Sequence, residues 1–139
     1  MVLENSISAE LLLAGRILFG LVIAFTGLNH FLDAESMIGY AEAKGVPAAS
    51  LAIPVSGAVL LFGGLGIVLG VFPVLAAAVL VVFFVVVTPK MHDFWNVPED
   101  QKQGEINSFL KNVGLLGASL VFLALGVSSW PYAVNLGLF

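Results

Sequence analysis

The side chains able to do chemistry are few, and they gather at the ends of long apolar runs. Asn29 and His30 close the first run, and Lys44 stands in the loop beyond it. His92 and Asp93 open the segment His92-Asp93-Phe94-Trp95-Asn96 after the third run, and Lys111 and Asn112 lie just inside the fourth. Two histidines and Asp93 raise the question of a metal, since imidazole and carboxylate suit zinc or iron. No HxxxH, HxxE or ExxH spacing occurs, and histidines on separate helices give only part of a ligand set, so no metal is expected.

A flat, polar-headed, lipid-soluble molecule such as a quinone suits these residues better. Its two carbonyls accept hydrogen bonds, which His30, His92, Lys111 and Asn112 can donate, while Phe94 and Trp95 offer ring surfaces. His92 beside Asp93 can also relay a proton during quinone reduction or oxidation. The expected ligand-binding set is therefore Asn29, His30, Lys44, His92, Asp93, Trp95, Lys111 and Asn112. The competing reading is a belt of Trp, His and Asn that anchors helix ends among lipid headgroups.

Lys111 sits where the fourth helix enters lipid, and a charge there faces the bundle or snorkels. Arg16 poses the same question at the other membrane face. It lies roughly 21 Å along the first helix from His30, at 1.5 Å per residue, so the two do not share one small site. Its expected partners are a lipid phosphate or the carbonyl ends of neighbouring helices, which makes it a lipid-binding or a structural charge.

Other chemistries are disfavoured. Ser56 has no Gly-x-Ser-x-Gly elbow around it, and the glycines lie in apolar runs, not between a strand and a helix where phosphate is cradled. The chain has no cysteine, which removes thiolate metal sites, iron–sulfur clusters and dithiol redox chemistry. A redox role must then borrow a cofactor or a substrate. The net charge of -4 makes nucleic acid an unexpected partner.

The elements that position these residues follow from composition. Of 139 residues, 60% are hydrophobic and 10% charged, and the mean hydropathy is +1.07. A soluble domain is about 25% charged, so lipid must be the main solvent here. Four apolar runs, at about 9–32, 51–70, 73–89 and 106–127, are each long enough to span a bilayer as a helix. The expected fold is an all-α, antiparallel four-helix transmembrane bundle, taken as a single domain over 1–139. Val81 to Val87 would favour a strand by propensity, but an open strand edge is not satisfied in hydrocarbon, so the span is helical. Ser8 is the expected N-cap of the first helix, with Glu10 in its first turn. Ala34 to Ala43 is a short interfacial helix, and Gly66-x-x-x-Gly70 offers close helix packing. Trp130, Pro131 and Tyr132 read as interfacial anchors. Residues 1–5 lack the basic region of a signal peptide, so the first helix is expected to remain as an uncleaved insertion signal.

Antiparallel spans bring the end of the first helix, the start of the second, the end of the third and the start of the fourth to one side. That side holds Lys44, Lys90, Lys102 and Lys111, against Arg16 alone near the other. By the positive-inside rule, the polar side of this multi-pass protein faces the cytoplasm at the cell membrane.

Several segments, taken in order, carry a resemblance. Gly27-Leu28-Asn29-His30-Phe31, Gly45-Val46-Pro47, Ser56-Gly57 with Gly63-Gly64, His92-Asp93-Phe94-Trp95-Asn96, and Phe109-Leu110-Lys111-Asn112 with Leu115-Leu116-Gly117 together resemble the DoxX family, from about Leu11 to Leu125. The resemblance implies a small four-helix membrane protein associated with redox work. The family's namesake is linked to a thiosulfate:quinone oxidoreductase, and other members are membrane partners in oxidoreductase or thiol-stress complexes. More distant relatives act as cargo receptors or receptor chaperones. Arg16, His30, Lys44, His92, Asp93, Trp95, Lys111 and Asn112 match positions where the family often keeps such groups. Many members carry a glutamate in the second spanning helix where this chain has Leu60. The expected function is a quinone-binding membrane subunit of an oxidoreductase complex, with a redox or sulfur-metabolism protein as partner. A homo-oligomer is a further expectation, and the alternative is a non-catalytic membrane chaperone, cargo receptor or assembly factor.

Overall fold

The computed structural model describes residues 5–137. Met1 to Glu4, on which the reading of the amino-terminal segment rests, and the last two residues of the 1–139 domain lie outside the described residues. The helices are α1 (Ser6–Leu32), α2 (Ala34–Ala43), α3 (Ala49–Leu69), α4 (Pro73–Met91) and α5 (Glu99–Leu125), with a 3₁₀ turn at Phe94–Asn96 before α5. Four of them, α1, α3, α4 and α5, are long and apolar enough to cross a membrane. Exposed Leu18, Val22, Phe25, Phe62, Val82, Val86 and Val121 clothe the outside of the bundle, as a lipid-facing surface requires. The valine-rich stretch of α4 is helical throughout.

Two helix starts differ from the sequence expectation. Asn5 caps α1, its side-chain oxygen accepting from the backbone N–H groups of Ile7 (3.0 Å) and Ser8 (3.4 Å). Ser8 is thus inside the helix, and Glu10 falls beyond the first turn. α5 begins at Glu99, well before the apolar run. Pro98 takes the N-cap position, and Glu99 and Asp100 occupy the first turn, where the helix dipole favours anions. The polar stretch 99–105 is therefore an extension of the span, and it carries Glu105 to the bundle end.

Packing of α1 along α3 rests on four glycines. A methyl group built on Gly20 would lie 2.6 Å from the Gly64 carbonyl oxygen, and one on Gly27 would lie 2.5 Å from the Leu61 nitrogen and 2.6 Å from the Gly57 oxygen. Such distances allow only a hydrogen atom at each position, so the two backbones touch, as small-residue packing in membranes permits. Gly66 instead makes room for Ala76 of α4, and Gly70 ends α3 in the left-handed conformation (φ 67°). The buried core between the helices comprises Ile23, Leu60, Ile67, Ala77, Leu80, Phe84 and Phe122.

The carboxy-terminal tail closes the bundle end opposite the polar loops. Val134 N–H donates to the Leu69 carbonyl (2.8 Å), and the Trp130 indole donates to the Leu125 carbonyl (2.9 Å). Trp130 is 2% exposed and joins the core, so it is not the interfacial anchor its position implied, whereas Tyr132 is exposed. Arg16 explains the difference. Its guanidinium, 0% exposed, donates to the carbonyls of Ile67 (3.2 Å), Val68 (2.7 Å), Pro131 (2.6 Å) and Tyr132 (3.1 Å), and stacks 5.3 Å from the Trp130 ring centroid. The carbonyl ends of a neighbouring helix are thus its partners, and they supply the negative pole that a buried cation needs.

Candidate functional site

At the polar end, α2 lies across the mouth of the bundle and is tied to it by charge. It buries Ala41, with Met37 and Ile38 packed beside it, against Ala49 and Ile53 of α3 and Met91 of α4. One turn apart on another of its faces, Tyr40 and Lys44 reach over to α4 and α5. Lys44 Nζ meets Asp93 Oδ1 at 2.6 Å and stands 4.0 Å from Glu105 Oε1. The Tyr40 hydroxyl donates to Glu105 Oε1, with the Met91 carbonyl oxygen 3.1 Å away as a second acceptor. Burial and then the hydrogen bond and charge of Glu105 push the Tyr40 phenol well above the ordinary tyrosine pKa, so it stays a donor.

Glu105 is the hub. Its second oxygen, Oε2, pairs with His92 Nδ1 at 3.0 Å. A carboxylate on Nδ1 orients the imidazole and leaves Nε2 as its outward-working atom. Lys44, Asp93, His92 and Glu105 are all partly buried, which keeps their interactions from being fully screened. Beside them Phe94, Trp95 and Phe109 form an edge-to-face trio, with ring centroids 5.1 Å, 5.3 Å and 6.2 Å apart, and Trp95 is exposed. The arrangement offers a cation, an imidazole that can give or take a proton, and an aromatic wall at one membrane interface.

The expected site residues separate into three groups. His92, Asp93, Lys44 and Trp95 come together here. His30 and Asn112 are buried within the bundle instead, and Asn29 is half-buried at the end of α1. The His30 ring contacts Ser56 Oγ (2.9 Å) and the Ile53 carbonyl (3.3 Å) through Nδ1. Ser56 spends its own proton on that same carbonyl (2.8 Å), and a carbonyl only accepts, so Nδ1 carries the hydrogen and Nε2 is the acceptor. Lys111 is exposed and turned away from the bundle. Among the described residues no cluster of three His, Asp or Glu side chains fit to hold a metal occurs.

Glu105 and Tyr40 are absent from the sequence-derived set. A signal for Glu105 exists: Glu105, Asn112 and Ser119 recur every seven residues, about two turns, along the inward face of α5. Tyr40 is one turn before Lys44 on α2, which is equally readable once α2 is taken as a helix. Leu60 is a core residue, 1% exposed. The carboxylate that serves His92 comes from α5.

Comparison with known proteins bears on the first two-thirds of the chain. The family model described as DoxX matches residues 11–93, from α1 through Asp93, so the α5 residues Glu105, Lys111 and Asn112 lie beyond the matched stretch. Neither the curated proteins nor the solved structures contain a match.

Proposed function

The chain belongs to the DoxX family of multi-pass membrane proteins, and from that premise we propose that it binds a quinone headgroup at the polar interface, as a membrane subunit serving an oxidoreductase. The observation that carries this reading is the pairing of His92 with Glu105 beside the Phe94–Trp95–Phe109 wall. Phe94, Trp95 and Phe109 would offer ring surface to the headgroup, Lys44 would donate to one of its carbonyls, and His92 Nε2 would accept from the hydroxyl of the reduced form.

A bound quinone supplies two-electron redox chemistry, taking up two electrons and two protons to become the quinol. The protein's residues handle protons and position. Glu105 fixes the orientation of the His92 ring, Tyr40 fixes Glu105, and Asp93 holds the Lys44 ammonium in place. Without cysteine the chain has no dithiol of its own, so the electrons come from a partner protein, in this reading a redox or sulfur-transfer enzyme. The polar end is assigned to the cytoplasmic side of the cell membrane on the strength of Lys44, Lys90, Lys102 and Lys111. Protein purified in mild detergent is expected to carry menaquinone or ubiquinone, read by chromatography of its lipid extract. A quinone-free extract from cells rich in quinone contradicts the proposal.

A further inference from the structure

Below the interface, the four spanning helices place His30 (α1), Ser56 (α3), Thr88 (α4) and Asn112 (α5) at about the same depth. The His30–Ser56 hydrogen bond joins the first two directly. Contacts of His92 with Glu105 at one end, and of Val74 with the Gly126 position at the other, fix the register of α4 against α5 and put Thr88 within a turn of Asn112. Gly63 against Leu80 and Gly66 against Ala76 do the same for α3 and α4, bringing Ser56 to the level of Thr88.

These side chains point inward. Thr88 extends by one turn the buried stripe Leu80–Phe84 and is 4% exposed, and Asn112 is 7% exposed on the stripe that continues to Ser119 and Phe122. Three other helix hydroxyls spend their protons within their own helix: Thr26 on the Val22 carbonyl, Ser56 on Ile53 and Ser119 on Leu115, each at 2.8 Å. Thr88 does not. Its Oγ1 is buried with no hydrogen-bond partner, a costly state for a hydroxyl in an apolar interior. His30 presents Nε2 as an unshared acceptor, by the tautomer argument above.

We infer that the bundle holds a buried water site at this layer, with water hydrogen-bonded between Thr88 Oγ, the Asn112 carboxamide and His30 Nε2. Such a site satisfies the usual requirement of two to four polar partners per buried water. It is reached from the polar end, where Thr88 stands one turn below His92. Leu60, Leu80, Phe84 and Phe122 close it from the other side. The inference does not depend on quinone binding.

Water-edited solid-state NMR of the protein in quinone-free bilayers tests it. Rapid transfer of water polarisation to the Thr88 and Asn112 side chains is expected, with none to Phe84 or Phe122 at that mixing time. Thr88→Val, which keeps the shape and removes the hydroxyl, should abolish transfer at Asn112 and lower Tm, whereas Thr88→Ser should retain both. Three results overturn the inference: no transfer in the wild type, a higher Tm for Thr88→Val, or transfer seen only when a quinol is added. The last would assign these groups to a headgroup and not to water.

Discussion

Arg16 shows how residue type leaves open partners between which geometry decides. A guanidinium in a membrane helix suggests a ligand site, yet its four hydrogen bonds all go to main-chain carbonyls, two at the end of α3 and two in the tail. The sequence offered carbonyl ends as one of two partners for it, and contained no sign that the tail would fold back to supply half of them. Trp130 was illegible for the same reason: an indole near a chain end reads as an anchor until something polar draws it inside. Lysine keeps the charge but loses the planar fork and most of these bonds. Arg16→Lys should therefore cost about 3 kcal/mol or more, since hydrogen bonds to charged groups are worth roughly 1.5–3 kcal/mol each. In a Trp95→Phe background the emission of Trp130 reports the result directly. A red shift and a lower Tm are expected, and an unchanged spectrum and Tm would contradict the clamp.

Among the helices, the apolar runs were legible because twenty or so residues without charge leave few alternatives in lipid. α2 was legible from its bounded polar sequence. The start of α5 was not, because a charged stretch before a span looks like a loop unless its helical period is followed backwards through Asn112 to Glu105. Glycine was the other ambiguity: composition shows where glycines are, and only packing shows which ones bring backbones together. Gly27→Ala would force a methyl group into the α3 backbone and should cost about 1–3 kcal/mol, the usual scale of overpacking. Gly114 has nothing within 4 Å of a built methyl group, so Gly114→Ala should be neutral or stabilise by up to about 1 kcal/mol. Unfolding of both variants in the same detergent checks the contrast, and equal effects would contradict the α1–α3 contact.

For the whole molecule, the antiparallel order of spans decides where chemistry can occur. It gathers α2, the end of α4 and the start of α5 at one face, and leaves Arg16 and the tail to seal the other. The topology could be read from the runs, and so could the meeting of Lys44, His92 and Asp93. The seven-residue recurrence places Glu105 on the inward face of α5, but its pairing with His92 could not be read, because the partner that organises an imidazole is chosen by tertiary register and not by local sequence. That register also turns Lys111 outward, so the quinone reading rests on His92 and Glu105 and makes Lys111 dispensable. A ligand that binds only the folded state raises its Tm in proportion to the logarithm of its concentration above Kd. The most direct measurement is a titration of menaquinone and ubiquinone analogues against the wild type, His92→Ala, Glu105→Gln and Lys111→Ala, followed by thermal unfolding. A rise in Tm for the wild type and Lys111→Ala, lost in His92→Ala and Glu105→Gln, is the predicted result; no rise in the wild type, or the same rise in all four proteins, would contradict it.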